Sequence, residues 1–182
     1  MKLSIHLPSM NLFFLSRDPR DAAEAHYNKH VVKMVLETAQ LLSSAHRLTD
    51  GEHAIVNGKK TWVLRDSMRD STLYRATHAN HPTARWVRSS RAHYEWTFKL
   101  LCALLVEYTF RYGKTHACTK LVKALAEPPA AIADTGFSDP PKCMPDSFAE
   151  ASDDVVACYR AYYREGKKDL KAYKNREAPS WL

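Results

Sequence analysis

The sequence predicts a mainly α-helical fold: a single compact helical domain of five to six helices over residues 1–182, with room for one short N-terminal strand. Three observations predict it. The chain has five glycines among 182 residues, few for a sheet-rich fold whose tight turns need left-handed backbone. Apolar residues recur at helical spacing over long stretches. Prolines and glycines stand where helices begin and end rather than inside them. With 45% hydrophobic and 26% charged residues, the composition is that of a folded globular chain with a real core, not of a disordered one.

Residues 1–10, "MKLSIHLPSM", read as an N-terminal extension. It has no sustained apolar segment and no small-residue cleavage site, so no signal peptide is expected. "NLFFLS", 11–16, is the candidate strand. "DPRDAAEAHYNKHVVKMVLETAQLLSSAHRL" reads as helix, with Asp18 as N-cap, Pro19 in the first turn and Asp21 and Glu24 at the positive end. A break near Tyr27–Asn28 is compatible with that pattern. "TDGEHAIVNGKK" is a polar loop in which Asn-Gly marks a turn, and "WVLRDSMRDSTLYRATH" is weakly helical. A second strong helix begins near Pro82 and ends at Gly113. "THACTKLVKALA" is another, stopped by Pro128-Pro129. A proline-rich connector leads to the last helix, "FAEASDDVVACYRAYYREGKKDLKAYK", and a basic, aromatic C-terminal segment covers 159–182.

No apolar run approaches the ~20 residues needed to span a bilayer, so no membrane partner and a cytoplasmic location are expected. Cys102, Cys118, Cys143 and Cys158 are widely spaced and form no CxxC pair, which suits reduced thiols packed as small hydrophobes. His26, His30, His78, His81 and Glu37 could supply metal ligands, but no HExxH or CxxC spacing supports a site. No metal and no cofactor are expected.

The first helix carries a polar stripe. Positions 30, 33, 37, 40 and 44 share one narrow helical face, and they are His30, Lys33, Glu37, Gln40 and Ser44. Val31, Val32, Met34, Val35, Leu36, Ala39, Leu41 and Leu42 cover the other sides, the reverse of an ordinary surface helix. The stripe is therefore expected to line a cleft, with Lys33 and Glu37 coupled at i, i+4. An amine, a carboxylate and an imidazole in a cleft suit acid–base or amine chemistry. A structural ion pair beside a core histidine is the alternative.

Lys and Arg number 27 against 20 acidic residues, a formal charge of +7, which favours a polyanionic partner, DNA or a nucleotide. Arg85, Arg88 and Arg91 recur along one flank of the second helix, with Trp86, Tyr94 and Trp96 interleaved as candidate stacking surfaces. Arg111, Lys114, His116 and Lys120 surround a helix–turn–helix junction. Arg160, Lys167, Lys168 and Lys171 alternate with tyrosines near the C-terminus. Lys29 beside the stripe, Gln40 within it, and Asn80 and His81 of "HANH" complete the expected phosphate contacts.

The stretch "NKHVVKMVLE" resembles the first-helix pattern of the phage pyrimidine-dimer DNA glycosylases, the endonuclease V family, in which a histidine precedes an essential glutamate by seven positions. His30 and Glu37 have that spacing. Basic, helical composition and a tyrosine- and tryptophan-rich end, "YRAYYREG…APSW", add to the likeness, and "HANHPTARW" and "FRYGKTHACTKL" resemble segments of uncharacterised phage proteins. The resemblance implies a glycosylase or glycosylase/lyase that flips a damaged or modified base. An amine attacks the sugar C1′ to give a Schiff base, and Glu37 serves as acid/base. It implies phosphate contacts by His30 and the arginines, and a phage-encoded protein in the host cytoplasm. In that family the amine is the α-amine of a small second residue. Residue 2 here is Lys2, Met10 looks like a more natural start, and Lys33 is the candidate amine. An enzyme acting on free nucleotides, or a non-catalytic binder of nucleotide or nucleic acid, is the alternative function.

Overall fold

The computed structural model describes residues 11–182; the expected extension over 1–10 lies outside them. The described residues form a compact, mainly α domain with one two-stranded sheet. Helix α1 is Pro19–Glu24. Asp18 caps it by accepting from the amides of Arg20 and Asp21, and Pro19 opens its first turn. Helix α2, Asn28–Asp50, is a separate element. Tyr27 is extended between them because its N–H donates to the Tyr163 hydroxyl, 2.7 Å away, instead of continuing the helix.

Asn11–Ser16 is not the expected strand. It is a buried irregular segment in which the Asn11 side-chain carbonyl accepts from the amides of Leu12 and Phe13. Phe13 takes φ 44°, the left-handed region unusual for an aromatic residue. Burial holds it there: Leu12, Phe13, Phe14 and Leu15 all lie in the core.

The expected polar loop after α2 is a hairpin, β1 Glu52–Val56 and β2 Lys59–Val63, paired antiparallel. Its turn is Asn57-Gly58, φ 51° and 74°, the positive-φ pair that two-residue hairpins require. Helix α3, Ser67–Thr72, follows under an Asp66 cap.

The long second helix is two: α4, Pro82–Val87, and α5, Arg91–Tyr112. Residues distant in sequence cause the break. Arg91 N–H donates to the Ala133 carbonyl, and the Ser90 hydroxyl accepts from Thr135 N–H. The connector thus takes the place of helical partners at the bend. At the other end Gly113 adopts φ 64° and closes α5 onto Thr109, as its position past the last apolar residue predicts.

Ala117–Leu121 is a 3₁₀ turn running into α6, Val122–Leu125. The expected last helix breaks into α7, Asp146–Ala149, α8, Val155–Ala161, and a π-turn at Tyr162–Gly166. Helix α5 packs against α1 and α2, and one hydrophobic cluster joins these to Phe14, Trp86, Tyr159 and Tyr163.

The chain end is tied down by hydrogen bonds. Asn28 N–H donates to the Ala172 carbonyl, Lys174 N–H to the Asn28 side chain, and the Tyr173 hydroxyl to the Ala25 carbonyl. These bonds place the C-terminal segment across the α1–α2 junction and fix where α2 begins.

Candidate active site on helix α2

Glu37 is buried, 8% exposed, and each of its carboxylate oxygens has a partner. Oε1 lies 3.1 Å from the Lys33 ammonium one turn earlier. Oε2 accepts from the Asn11 main-chain N–H at 3.1 Å. Asn11 is held by its own side chain, whose Nδ2 donates to the Cys143 carbonyl at 2.8 Å. The Cys143 thiol in turn meets the Thr83 hydroxyl in the first turn of α4, and burial pushes that thiol's pKa up. A run of bonds therefore links the α2 carboxylate, the N-terminal segment, the connector and α4.

Further along the same face, the Ser44 hydroxyl accepts from Thr77 N–H at 3.0 Å, which fixes the segment leading to "HANH". His81 caps α4, its Nδ1 accepting from Thr83 N–H. Burial, with His78 nearby, lowers its pKa.

His30 is set apart from Glu37 in environment. Its Nδ1 lies 2.8 Å from the Tyr163 hydroxyl. That hydroxyl also accepts from Tyr27 N–H. The Phe13 ring stacks on His30, centroids 4.6 Å apart. Burial, then the charges of His26, Lys167 and Lys33, lowers its pKa to about 3. His30 is a neutral imidazole that orders Phe13 and Tyr163, and a phosphate contact from it would need that packing to open.

The stripe is partly open. Lys29, Val32, Lys33 and Leu36 are exposed along α2 and Gln40 is half-buried, so packing does not surround the helix as its composition suggests. Lys114 and Lys120 are exposed near the turn that packs on α2, and His116 is half-buried there.

Several expected phosphate contacts are placed differently. Arg111 is fully buried: its guanidinium donates to Glu107, to the carbonyls of His26 and Glu24, and to the Asn28 side chain. It is a structural residue. Arg160 donates to the Leu15 carbonyl and lies over Trp181. Arg85, Arg88 and Arg91 do not form one helical track, because the bend falls between them: Arg85 is exposed on α4, Arg88 ends that helix and Arg91 starts α5.

The interleaved aromatics are core as well. Trp86 stacks on His93 and donates to the Ser138 carbonyl, Trp96 donates to the Arg17 carbonyl, and Tyr94 to the Leu125 carbonyl. Tyr159 and Tyr163 are buried too. Asn80, Lys168 and Lys171 remain exposed, and Lys167 lies over the Tyr162 ring.

Asn11, Tyr163 and Phe13 complete the surroundings of Glu37 and His30 and were not expected there. A stripe of polar residues signals a site on one helix, but nothing in its spacing identifies partners 26 and 133 positions away. Among the described residues no group of three or more His, Cys, Asp or Glu side chains is placed to hold a metal ion. No helix among them is long and apolar enough to cross a membrane. No family model matches the chain, and no curated protein and no solved structure matches it.

Proposed function

We propose that the chain is a DNA-acting enzyme of glycosylase or glycosylase/lyase type that works on a flipped, damaged or modified base with Glu37 as acid/base. One observation carries the reading: a buried carboxylate holds an amine on one oxygen and a main-chain nitrogen on the other, each at 3.1 Å, beside the exposed cations Lys29 and Lys33. A lysine nitrogen beside a carboxylate that can exchange protons with it supports imine chemistry on a sugar.

In the proposed reaction the Lys33 ammonium first gives a proton through Glu37 to the base, and the amine so freed bonds to the sugar C1′ as the bond from C1′ to the base breaks. The base leaves with the bonding pair, and Glu37 takes the proton released by the nitrogen. Glu37 then delivers that proton to the ring oxygen O4′ as the C1′–O4′ bond breaks, which leaves a protonated Schiff base. This permits loss of a C2′ proton and cleavage of the C3′–O bond, the 3′ oxygen leaving with its phosphate. The phage glycosylases that the first helix resembles use an α-amine. In a chain beginning at Asn11, that residue's α-nitrogen would stand against the same carboxylate. His30, held neutral, orders the aromatic floor.

Strand scission of duplexes bearing an abasic site, a pyrimidine dimer or a bulky modified pyrimidine tests the reading. Glu37→Gln is expected to abolish scission and to lower stability by about 1–2 kcal/mol, since it removes one charge-assisted bond and one half-exposed ion pair but no packing. Full activity in that variant would overturn the proposal. Turnover of free nucleotides without duplex binding would replace it with a nucleotide-directed enzyme.

A further inference from the structure

The β1–β2 hairpin has a surface that the fold does not use. In its register Ile55 faces Lys60 and His53 faces Trp62, so these four share one side of the ribbon. Ile55 is 73% exposed, the most exposed large hydrophobic residue described. The His53 and Trp62 rings sit 4.7 Å apart beside it, and a shallow cavity of about 330 Å³ opens between His53, Ala54, Ile55 and Lys60. Lys59 and Lys60 are exposed at the tip, and residues 53–64 contain no carboxylate. An isolated two-stranded hairpin is marginal in water, yet this one is braced at its base. Arg47 donates to the Trp62 carbonyl and to Asp70, and Asp70 accepts from Leu64 N–H.

That bracing sets the direction. Arg47 lies on the same face of α2 as Lys33, Glu37, Gln40 and Ser44, ten residues beyond Glu37. At ~1.5 Å per residue the hairpin base stands roughly 15 Å from the carboxylate along the helix. This is about four to five base pairs at ~3.4 Å each.

We infer that the hairpin is a duplex-DNA-contacting wing: Lys59 and Lys60 engage phosphates and Ile55 enters a groove as an apolar wedge between base steps. Positive charge without opposing carboxylates selects a polyanion over an acidic or neutral protein surface. An exposed aliphatic tip beside lysines is the combination with which ribbon proteins unstack DNA. The inference rests on the glycosylase reading and deepens it, because a kink about four to five base pairs from the target bends the duplex and lowers the cost of extruding a base.

The test uses the full chain, its Ile55→Ser and Lys59→Ser/Lys60→Ser variants, and a labelled duplex carrying 2-aminopurine about four to five base pairs from an abasic site. Binding is followed by anisotropy across a salt series. The lysine variant is expected to bind about tenfold more weakly at low salt and to lose about 1.8 from the slope of log K against log salt, two phosphates' worth. Ile55→Ser is expected to keep the slope and lose most of the 2-aminopurine fluorescence rise. Parent-like binding, slope and fluorescence in both variants would overturn the inference while leaving the chemistry at Glu37 intact. Normal DNA binding with a loss of self-association in light scattering would also overturn it, and assign Ile55 to a protein contact. A parent chain that binds no duplex would overturn both this inference and the glycosylase reading. Hairpin-dependent binding with no scission would support the wing and remove the chemistry.

Discussion

Replacing Arg111 by alanine is expected to cost about 4 kcal/mol of stability, and the sum follows from what the guanidinium touches. Its side chain is fully buried and donates to Glu107 at 2.6 Å, to the His26 carbonyl at 2.7 Å, to the Glu24 carbonyl at 2.9 Å and to Asn28 Oδ1 at 3.1 Å. After truncation Glu107 keeps two bonds from Arg176, at 2.6 and 2.7 Å, so no carboxylate is stranded. The carbonyls of His26 and Glu24 lose these donors, at roughly 1–3 kcal/mol each. The buried stem leaves a gap over Tyr173.

For a chain of this size 4 kcal/mol corresponds to a fall of roughly 10 °C in Tm. Glu107→Ala is expected to cost more, because it strips the shared carboxylate from two neighbouring arginines, one of them fully buried. Urea unfolding followed by far-UV circular dichroism at pH 7, with duplex affinity measured on the same samples, is the assay. An Arg111→Ala variant within about 1 kcal/mol of the parent that lost DNA affinity would refute the reasoning and return Arg111 to the phosphate contacts its sequence position suggests. A Glu107→Ala variant milder than Arg111→Ala would refute the charge ordering.

Two further outcomes follow from the aromatic pocket and the buried histidines. Tyr163→Phe removes the acceptor for the buried Tyr27 N–H and the hydroxyl partner of His30; a loss of about 2–3 kcal/mol in urea unfolding is expected, and a loss under 0.5 kcal/mol would contradict the placement. Burial lowers His26 and His46 to a pKa of about 4 and His30 to about 3. The unfolded chain therefore binds more protons than the folded one below pH 6.5, and stability is full above that pH and falls with acidification towards pH 4. With three such groups the fall approaches about 3 kcal/mol per pH unit near pH 5.5; unfolding midpoints that stay level from pH 7 to 5 would contradict it.

What the sequence made legible was local. Asp18-Pro19, Pro82 and Gly113 mark helix ends that the structure keeps, because capping and left-handed backbone depend on a few neighbouring residues. Asn57-Gly58 marks a turn, but the five-residue strands on either side carry too little alternation to announce a hairpin. The bend at Ser90 arises from bonds to distant Ala133 and Thr135, and the π-turn in the last helix lies where the Tyr163 carbonyl accepts from the distant Tyr27 hydroxyl. Helical periodicity carries no trace of them.

The polar stripe pointed correctly to a carboxylate–amine pair on α2, since i, i+4 geometry follows from the helix. The charges and tyrosines elsewhere were less informative. Burial separates Arg111, Tyr159 and Tyr163 from the exposed Lys168 and Lys171, and no sequence spacing distinguishes a basic face from a basic residue folded inward to meet a carboxylate.

Borohydride trapping on a duplex with an abasic site tests the central claim, an amine acting beside Glu37, most directly. A covalent protein–DNA adduct is expected. Peptide mapping should place it on Lys33, or on the α-amine of Asn11 in a chain cut to begin at that residue, and it should be lost in Glu37→Gln. No adduct and no scission with the parent chain, on this or on dimer-bearing and modified duplexes, would contradict the account.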